Sequence, residues 1–459
     1  MVLLHPLLCF SDMEYHLSKF IYPFTHNGKY YVVQTYTKRL FEIKEDVFFQ
    51  ITQKEFDINS SDSQTIKSFI ESQIITQDPN EVDRLKCIEE EREIDTEWHT
   101  LHIIPTASCN FGCDYCFVLK DKSTNLCDTV ISDDILYRGI DFFFKGNTSN
   151  RIIVTFYGGE PLLAPQVLYK TINYITSNYT TSFVKKIVTN GTLITPEIAK
   201  FLSLQGFDVS VSLDGTAIAH NKYRKYKNGA STYDDVLKGI EILREYNNSI
   251  KILMTVGSFN YMDLPTHVQA LLNTHPTLIA LNLPRALQEH SNGIEEKLNI
   301  NMLIEQYSKC VDMCYEAHVP EGHMADIIFG FLRNEVQYHP CHGCGKQIAL
   351  TPNGMIGPCQ AYLGTLKNFQ PIEKFQSIND LRKDPIFNKW KQISMFNCNK
   401  CRDCYLLPVC PGDCPYDWEN RTGSLLDVPE VYCLTRKVMF DYMMKRIVSG
   451  KDIMFKQVV

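Results

Sequence analysis

The stretch Cys109-Asn-Phe-Gly-Cys113-Asp-Tyr-Cys116-Phe117 places three cysteines at spacings of four and three residues in one short loop. Three thiolates from one loop can hold three corners of a cubane iron–sulfur cluster, whereas four cysteines complete an ordinary electron-transfer cluster. With three, one iron keeps an open position, as the metal of a catalytic site does. A zinc knuckle is the alternative, but zinc usually takes four ligands, often as two C-x2-C pairs. The loop therefore predicts an iron–sulfur site with an open iron.

Strand-like and helix-like patterns alternate around this loop, from about residue 100 to residue 290. The apolar or β-branched runs predict strands at 101–105, 152–157, 184–189, 209–213, 250–256 and 278–283. Amphipathic patterns predict helices at 132–145, 165–178, 196–204, 232–246 and 263–272. Such alternation indicates βα units with a parallel sheet. The cysteine loop follows the first strand, and active sites of α/β barrels lie at the carboxyl ends of the strands.

Composition excludes several classes of protein. With 44% apolar and 22% charged residues, the 459-residue chain is typical of a globular protein with enough length for several domains. Its net charge of −7 argues against a nucleic-acid partner. No apolar run reaches the roughly 18 residues that a membrane span needs. The apolar residues 1–10 lack the basic start and cleavage site of a signal peptide, so we expect a docked terminal segment.

The chain has 17 cysteines, and most of them fall into groups with metal-ligand spacing. A secreted disulfide scaffold would be smaller, so this pattern favours a reducing cytoplasm and iron–sulfur chemistry. Cys310 and Cys314 lie four apart on one predicted helix, within 301–318, and we expect them to be buried thiols rather than ligands. The sequence offers no partner for Cys9, Cys87 or Cys127.

The C-x3-C-x2-C loop, with aromatic Tyr115 before its last cysteine, resembles the signature of the radical S-adenosylmethionine (SAM) enzymes. The resemblance implies a partial (β/α)6, TIM-like barrel and a [4Fe-4S] cluster on Cys109, Cys113 and Cys116. It further implies that the amino and carboxylate groups of SAM chelate the open iron. An electron from the cluster then cleaves the sulfonium and releases a 5′-deoxyadenosyl radical. Tyr115 is expected to contact the cofactor.

Two motifs after the second and third strands resemble SAM-binding segments of this family. Gly158-Gly159-Glu160-Pro161 matches the GGEP motif, which receives the amino group of SAM through carboxyl and carbonyl oxygens. Its glycines are expected to let the backbone approach a ligand closely. The alternative is a tight turn with a surface glutamate. Thr189-Asn190, in a Thr-Asn-Gly-Thr segment, corresponds to residues that line the SAM pocket.

The segment after the fourth strand supplies the remaining expected SAM contacts. Ser212 resembles the ribose contact of the family, and Asp214 lies two residues later. Arg224 matches an arginine that holds the SAM carboxylate through its planar fork. The alternative for Arg224 is a surface salt bridge. Thr255-Val256, on the fifth strand, is a weak candidate for an adenine contact.

The C-terminal region carries a second group of cysteines that resembles the SPASM extension, a domain with two auxiliary four-iron clusters. The resemblance implies that cluster I takes Cys341, Cys359 and Cys414, with Cys344 as a possible fourth ligand. If Cys344 does not ligate, cluster I keeps an open iron. Cluster II would take the four cysteines Cys401, Cys404, Cys410 and Cys433. Cys398 is an extra cysteine that competes with Cys401, and a zinc ribbon at 398–414 is the alternative interpretation.

Residues 1–95 are expected to form a separate module. Hairpin strands flank Asn27-Gly28, a third strand is expected at 40–43, helices at 45–52 and 65–76, and a solvated charged linker at 89–95. This module resembles the winged-helix-like elements with which peptide-maturing relatives capture a leader peptide at a sheet edge. A packing extension of the barrel is the alternative. The remaining domains are expected at 96–300 (barrel), 301–340 (helical linker), 341–440 (SPASM) and 441–459 (tail).

The family offers two kinds of reaction. Sulfatase maturases, which make formylglycine, carry an aspartate base just after the cysteine equivalent to Cys359, and this chain has Gln360 there. Because an amide is no general base, we favour a maturase that crosslinks a ribosomal precursor peptide by a thioether or carbon–carbon bond. Its partners would be that peptide and a low-potential donor such as flavodoxin or ferredoxin. Asp413 is a tentative base, although capping of a turn is the favoured role. A non-catalytic iron–sulfur carrier or peptide-binding scaffold is a third alternative.

Overall fold

The structure is a computed structural model that describes residues 15–56, 63–92, 97–118, 126, 129–283, 298–332 and 336–450. The expected docked segment at residues 1–10, with Cys9, lies outside the described residues, as do Cys127 and residues 451–459.

The N-terminal part contains two small antiparallel sheets and three helices. Its strands are β1 (His16–Leu17), β2 (Ile21–His26), β3 (Lys29–Gln34), β4 (Arg39–Ile43) and β5 (Ile75–Thr76), and its helices are α1 (Glu45–Gln53), α2 (Ser63–Glu71) and α3 (Glu81–Arg92). Strand β3 pairs with β2 and β4, and β1 pairs with β5. Asn27 and Gly28 turn the β2–β3 hairpin with φ values of 49° and 72°, as expected of an Asn-Gly turn. The predicted hairpin and third strand are therefore confirmed.

Two details of this part differ from the sequence prediction. The helix expected at 65–76 ends at Glu71, because Gln73 takes a left-handed conformation (φ 59°) and residues 75–76 form β5. Residues 89–92 of the expected solvated linker form the last turn of α3. There Glu89 is buried and forms an ion pair with Arg92 at 2.8 Å. Residues 93–96 lie outside the described residues.

Six parallel strands form the centre of the molecule, at the places the sequence predicts. They are β6 (Thr100–Ile103), β7 (Ile152–Phe156), β8 (Phe183–Thr189), β9 (Phe207–Ser212), β10 (Ile250–Thr255) and β11 (Leu278–Asn282). The helices between them are α4 (Asp133–Phe144), α5 (Pro165–Asn178), α6 (Pro196–Leu204), α7 (Ala217–Tyr223), α8 (Tyr233–Glu245) and α9 (Leu264–Leu272). Each strand pairs in parallel with the next along the chain, from β6 to β11. This is the α/β arrangement expected of a partial (β/α)6 barrel.

The C-terminal region extends the same sheet. Strands β12 (Gln347–Leu350), β13 (Met355–Gly357) and β14 (Gln370–Pro371) complete a nine-stranded sheet with the order β11-β10-β9-β8-β7-β6-β12-β13-β14. Strand β12 runs parallel to β6, with Gln347 opposite Thr100. The cysteine-rich region is therefore joined to the barrel by main-chain hydrogen bonds, and the expected boundary near residue 341 does not separate two sheets.

The remaining helices follow the last barrel strand in the chain. They are α10 (Ile300–Glu316), α11 (Gly322–Leu332), α12 (Pro385–Lys391), α13 (Asn399–Arg402), α14 (Pro415–Thr422) and α15 (Glu430–Val448). Helix α15 packs against α10, α11 and β2. Residues 441–448, which we expected to belong to a tail, are the second half of this helix. Among the described helices, none has the length and hydropathy to cross a membrane.

Candidate active site

A central cavity of about 370 Å³ lies where the carboxyl ends of the barrel strands meet α15. The three cysteines of the loop line it, together with Gln360 and Asp413 from the cysteine-rich region. Of the expected SAM contacts, those that line it are Tyr115, Gly158, Gly159, Glu160, Thr189, Asn190, Ser212 and Arg224. Thr255 and Val256 also line it. Motifs that are far apart in the sequence therefore surround one cavity.

The glycines of the Gly-Gly-Glu-Pro motif are required by the protein backbone. A Cβ at Gly159 would collide with the carbonyl oxygens of Ala107 and Ser108, and one at Gly158 would lie 2.6 Å from the carbonyl oxygen of Thr106. Gly159 N–H donates to the Thr106 carbonyl over 3.1 Å. These glycines therefore allow a close approach to the segment that leads into the cysteine loop, and both also line the cavity.

Glu160 is a buried carboxylate that joins the ends of β7 and β8. It accepts hydrogen bonds from Thr189 Oγ1 (2.7 Å), Asn190 N–H (2.7 Å) and Leu162 N–H (3.0 Å). Burial raises its pKa to about 7, although these three hydrogen bonds act in the opposite direction. The side chain is therefore no surface glutamate, and a cationic group in the cavity would favour its ionised form.

Asn190 and Asn110 hold the cysteine loop against β8. Asn190 Nδ2 donates to Asn110 Oδ1 over 2.7 Å and lies 3.9 Å from Cys109 Sγ. Phe111 N–H donates to the same sulfur over 3.4 Å. Burial raises the pKa of Cys109 to about 12, and the charge of Glu160 adds to this effect. A bound metal is therefore the partner that would hold this thiol as a thiolate.

Asp214 lies behind the cavity and positions two residues that line it. Its carboxylate is fully buried and accepts hydrogen bonds from Thr255 N–H (2.8 Å), Arg224 Nε (2.9 Å) and the Tyr115 hydroxyl. The salt bridge of Arg224 is thus buried rather than on the surface. Asp214 and Pro161, both expected to contact the cofactor, do not line the cavity.

Gln360 lines the cavity, and Gln347 occupies the oxygen of its side-chain amide. Gln347 Nε2 donates to the Pro358 carbonyl over 2.9 Å, and this contact identifies the nitrogen end of Gln347 because a carbonyl only accepts. The same nitrogen lies 2.9 Å from Gln360 Oε1, so Gln360 Nε2 is the end that remains for the cavity. His102 Nε2 donates to Gln347 Oε1 over 3.0 Å, and burial lowers the His102 pKa to about 3, so its ring is neutral. Sequence reasoning missed Gln347 and His102.

Asp413 combines a turn-capping contact with an ion pair. Its Oδ1 accepts from Cys414 N–H over 2.9 Å, the contact expected of a turn residue, and its Oδ2 lies 3.1 Å from Arg436 Nη2. Sequence reasoning missed Arg436 and the other α15 residues that line the cavity. These residues are Tyr432, Thr435, Arg436, Val438, Met439 and Tyr442.

The four cysteines expected to bind cluster II line a second cavity of about 410 Å³, which we call the four-cysteine cavity. Burial raises the pKa of Cys433 to about 11, and the charges of Cys401 and Cys404 add to the rise. Three cations, Lys400, Arg436 and Lys437, line the same cavity. Two carboxylates, Asp403 and Glu430, also line it. Four thiols with an excess of cations over carboxylates fit an anionic four-iron cluster.

The neighbouring cysteine Cys398 does not line this cavity. It is buried, its thiol donates to the Ser394 carbonyl over 3.4 Å, and it also forms a side-chain hydrogen bond with Cys401. Cys310 and Cys314, on α10, are 0% and 1% exposed, which confirms that they are buried thiols.

The cysteines expected to bind cluster I also lie near one another. Cys341 and Cys344 have their sulfurs 3.9 Å apart. The pKa of Cys344 is raised, first by burial, then by Cys341, and also by Cys359. Cys414 lines the central cavity. Within the described ranges, no three His, Cys, Asp or Glu side chains converge as ligands of a single ion would; the thiolates of a cubane instead bind separate irons.

Comparison with known proteins indicates the same family as the sequence motifs do. The family model of the radical SAM superfamily matches residues 103–271. A serine-type anaerobic sulfatase-maturating enzyme of Bacteroides thetaiotaomicron is 25% identical over 347 residues, which are 69% of this chain and 82% of that protein. The radical SAM cyclopropyl synthase TigE of Paramaledivibacter caminithermalis is 23% identical over 413 residues, 84% of each chain. An uncharacterized protein of Methanocaldococcus jannaschii is 30% identical over 208 residues, 45% of this chain and 68% of that protein.

Two groups of solved structures have the same fold. Native anSMEcpe with bound AdoMet aligns with a TM-score of 0.66 at 22% identity and covers 77% of this chain and 98% of its own. Streptococcus suis SuiB bound to its precursor peptide SuiA aligns with a TM-score of 0.54 at 16% identity and covers 91% of this chain and 99% of its own. The first similarity covers about three quarters of the chain, and the second extends over nearly all of it.

Proposed function

Because the chain belongs to the radical SAM superfamily, we propose that it is a peptide maturase that forms an oxidative crosslink in a ribosomal precursor peptide. The chain is an oxidoreductase whose cofactors are SAM and [4Fe-4S] clusters. When bound at Cys109, Cys113 and Cys116, the cluster and SAM together supply a 5′-deoxyadenosyl radical. The observation that carries the proposal is the central cavity, which joins this loop to Gln360 and to α15.

In this proposal the barrel residues hold SAM. Arg224, oriented by Asp214, binds the carboxylate of SAM, and Glu160 and the backbone near it receive the amino group. Ser212 contacts the ribose from the end of β9. No hydrogen bond ties the Ser212 hydroxyl to the rest of the described chain, so it is available to a ligand. Asn190 keeps the cysteine loop in place through Asn110.

The peptide would enter the part of the cavity lined by α10, α11 and α15. Its walls there are mainly apolar, with Leu303, Ile304 and Met439 beside the polar groups of Gln360 and Asp413. Relatives whose names state an action on a protein or peptide include the sulfatase-maturating enzymes, and solved structures hold peptides in anSMEcpe and SuiB. These support a peptide substrate here.

The N-terminal module would hold the leader of that peptide. Its described residues do not line the central cavity, but Tyr22 on β2 donates to Asp441 on α15 over 2.8 Å and stacks on Tyr405 with ring centroids 4.7 Å apart. Strand β4 forms one edge of the three-stranded sheet and offers main-chain groups for strand addition. A low-potential donor such as flavodoxin or ferredoxin would deliver the electron.

Formylglycine formation in a sulfatase is the second candidate, favoured by sequence similarity to the sulfatase maturases. Gln360 counts against it, because an amide offers N–H donors where that chemistry needs a base. Asp413 would be the acid that the cysteine-rich region contributes to the cavity, where it pairs with Arg436 at 3.1 Å. It stays a tentative base.

The first experiment tests for SAM cleavage. The full chain is reconstituted anaerobically with iron and sulfide, and SAM and dithionite are added. We expect 5′-deoxyadenosine from the wild type, none from Cys113→Ala, and wild-type amounts from Cys310→Ala, which removes a buried thiol outside the site. If wild-type protein with its full iron content releases no 5′-deoxyadenosine, the enzyme hypothesis fails, and a non-catalytic iron–sulfur carrier or peptide-binding scaffold is the remaining hypothesis.

The second experiment identifies the product. The active chain is incubated with the peptide encoded beside its gene, and the product mass is measured. Loss of two hydrogens indicates a crosslink, whereas hydrogen exchange without loss indicates epimerisation. Conversion of a cysteine or serine of a sulfatase peptide to an aldehyde would instead support the sulfatase candidate and contradict the crosslink.

A further inference from the structure

Arg436 lies in the walls of both cavities. It lines the central cavity and also the four-cysteine cavity, as Tyr432 does one turn earlier on α15. The Arg436 side chain is only 7% exposed, so the guanidinium lies inside the protein between two sites. A charge in such a place acts on both sides, since little water screens it.

On the side of the central cavity, two residues fix the guanidinium. Asp413 Oδ2 lies 3.1 Å from Arg436 Nη2. The same nitrogen lies 3.2 Å from His323 Nδ1, and Nη1 donates to the His323 carbonyl over 3.3 Å. Arg436 is thus held by a carboxylate that itself lines the cavity where a substrate would bind.

On the other side, Arg436 faces the thiols. Cys433 lies three residues earlier on α15, and therefore on the same helix face. Cys410, whose sulfur accepts from Gly412 N–H over 3.4 Å, lines the same cavity as Arg436. Of the three cations that line the four-cysteine cavity, Arg436 is the buried one, whereas the Lys400 side chain is 57% exposed and Lys437 is half-buried.

A fixed buried cation changes the redox properties of an iron–sulfur cluster. Reduction adds one electron, and therefore one negative charge, to an already anionic cluster. A cation nearby stabilises the reduced form more than the oxidised form and raises the reduction potential. A carboxylate that partly neutralises this cation has the opposite effect. Exposed lysines contribute less, because water and salt screen them.

We propose that Arg436 is a positioning residue that sets the reduction potential of the cluster held by Cys401, Cys404, Cys410 and Cys433, and that Asp413 connects this potential to the central cavity. The inference rests on the proposed function, which places a cluster among these four cysteines. A substrate group that draws Asp413 away from Arg436 raises the potential of that cluster. By linkage, reduction of the cluster changes the affinity for that substrate.

The test is a redox titration of the reconstituted full chain with dithionite, followed by electron paramagnetic resonance. Replacing Cys109, Cys113 and Cys116 by alanine removes the signal of the first cluster. Within this background, the signal that disappears on Cys433→Ala is assigned to the four-cysteine cavity. Arg436→Gln should shift the midpoint of this signal to lower potential, and Asp413→Asn should shift it to higher potential.

Two further variants serve as controls. Arg436→Lys keeps the charge and should stay near the wild-type midpoint. Lys445→Gln removes a positive charge from the same helix, where Lys445 pairs with Asp441 at 2.7 Å and lines neither cavity. It should leave the midpoint unchanged.

The outcomes separate this inference from the proposed function. If Cys433→Ala removes neither iron nor a signal, both the cluster assignment and this inference fail. If the cluster is present but Arg436→Gln shifts its midpoint potential no more than Lys445→Gln does, the role of Arg436 is refuted and the proposed function is not affected. If the Arg436→Gln variant does not load iron, the Asp413→Asn variant serves as the test. An unchanged or lower midpoint potential in Asp413→Asn would overturn the proposed connection between Asp413 and the cluster.

Discussion

Gln347 donates a hydrogen bond to Gln360 Oε1 over 2.9 Å, and this single contact decides which end of Gln360 faces the central cavity. The amide nitrogen is the end that remains, so the group opposite it in a bound substrate is an acceptor, such as a peptide carbonyl. Gln360, which stands where sulfatase maturases are expected to carry an aspartate base, is thus oriented as a hydrogen-bond donor by Gln347.

Substitution of Gln360 by Glu removes this donor with little change of shape. We expect crosslinked product per chain to fall about three- to tenfold, the loss of one neutral hydrogen bond. Cleavage of SAM without peptide should stay near the wild-type rate. Mass spectrometry of the peptide and chromatography of 5′-deoxyadenosine measure the two. Gln360→Asn, which keeps an amide, should lose less; full product from the Glu variant would contradict the donor role.

Gly159→Ala should displace the cysteine loop, because its Cβ would collide with the carbonyl oxygens of Ala107 and Ser108. Overpacking against backbone destabilises by about 1–3 kcal/mol, and here the strain falls on the segment that carries Cys109. We expect loss of about four irons per chain. Gly112→Ala, in the loop itself, is the matched control, since the nearest atom lies at an ordinary 3.6 Å. Equal iron in both variants would refute the explanation.

Asp214→Asn should weaken SAM binding through Arg224 and Tyr115, which Asp214 holds from behind the cavity. Removing one partner of a buried ion pair costs about 3–5 kcal/mol, so thermal stability should fall as well. Calorimetry measures both. Asp208→Asn breaks a partly exposed pair with Lys251 (2.7 Å) and should cost less than about 1 kcal/mol. If Asp214→Asn changes SAM affinity and thermal stability no more than Asp208→Asn does, Asp214 does not position Arg224 and Tyr115.

Glu160 should make the stability of the iron-free chain depend on pH. Burial raises the pKa of Glu160 from 4.5 to about 7. The folded chain therefore keeps this proton up to about pH 7, whereas the unfolded chain releases it near pH 4.5. The contribution is present below pH 4.5 and is lost as the pH rises to about 7. Relative to Glu160→Gln, the wild type should lose about 3 kcal/mol across this window. If the difference in unfolding free energy between the wild type and Glu160→Gln stays constant between pH 4.5 and 7, the raised pKa of Glu160 is contradicted.

Cys344→Ala should remove about four irons per chain, because Cys344 is buried beside Cys341 and lies near Cys359. Cys310→Ala is the matched control: it also removes a buried thiol, but one on α10, outside the cysteine-rich region. We expect the control to keep its iron. Unchanged iron in Cys344→Ala would mean that cluster I binds three cysteines and keeps an open iron.

The sequence predicts the barrel well because its elements are local patterns. All six parallel strands and the five helices predicted among them are found, with ends that differ by few residues. The cysteine loop and the Gly-Gly-Glu-Pro motif also meet at one cavity, as the order of strands implies. Helix α7, which carries His220, follows no clear amphipathic pattern and was not predicted.

Contacts between distant segments could not be predicted in the same way. Nothing local indicates that Gln347 would orient Gln360, or that Ser108 would require a glycine at 159. The wall formed by α15 was missed because its apolar residues are spread around the helix, which is buried from several sides. The helix predicted at 65–76 ends early because Gln73 takes a left-handed conformation and residues 75–76 pair with β1. These contacts override the amphipathic pattern.

Pairing between β12 and β6 has a consequence for synthesis of the chain. Strand β6 leaves the ribosome with Thr100, but its neighbour Gln347 follows only after most of the protein has been made. At about 5–20 residues per second this interval is roughly 12–50 s. Throughout it, one edge of β6 stays unpaired next to the nascent cysteine loop, open both to aggregation and to whatever delivers iron and sulfide. Pairing with β12 then covers this edge.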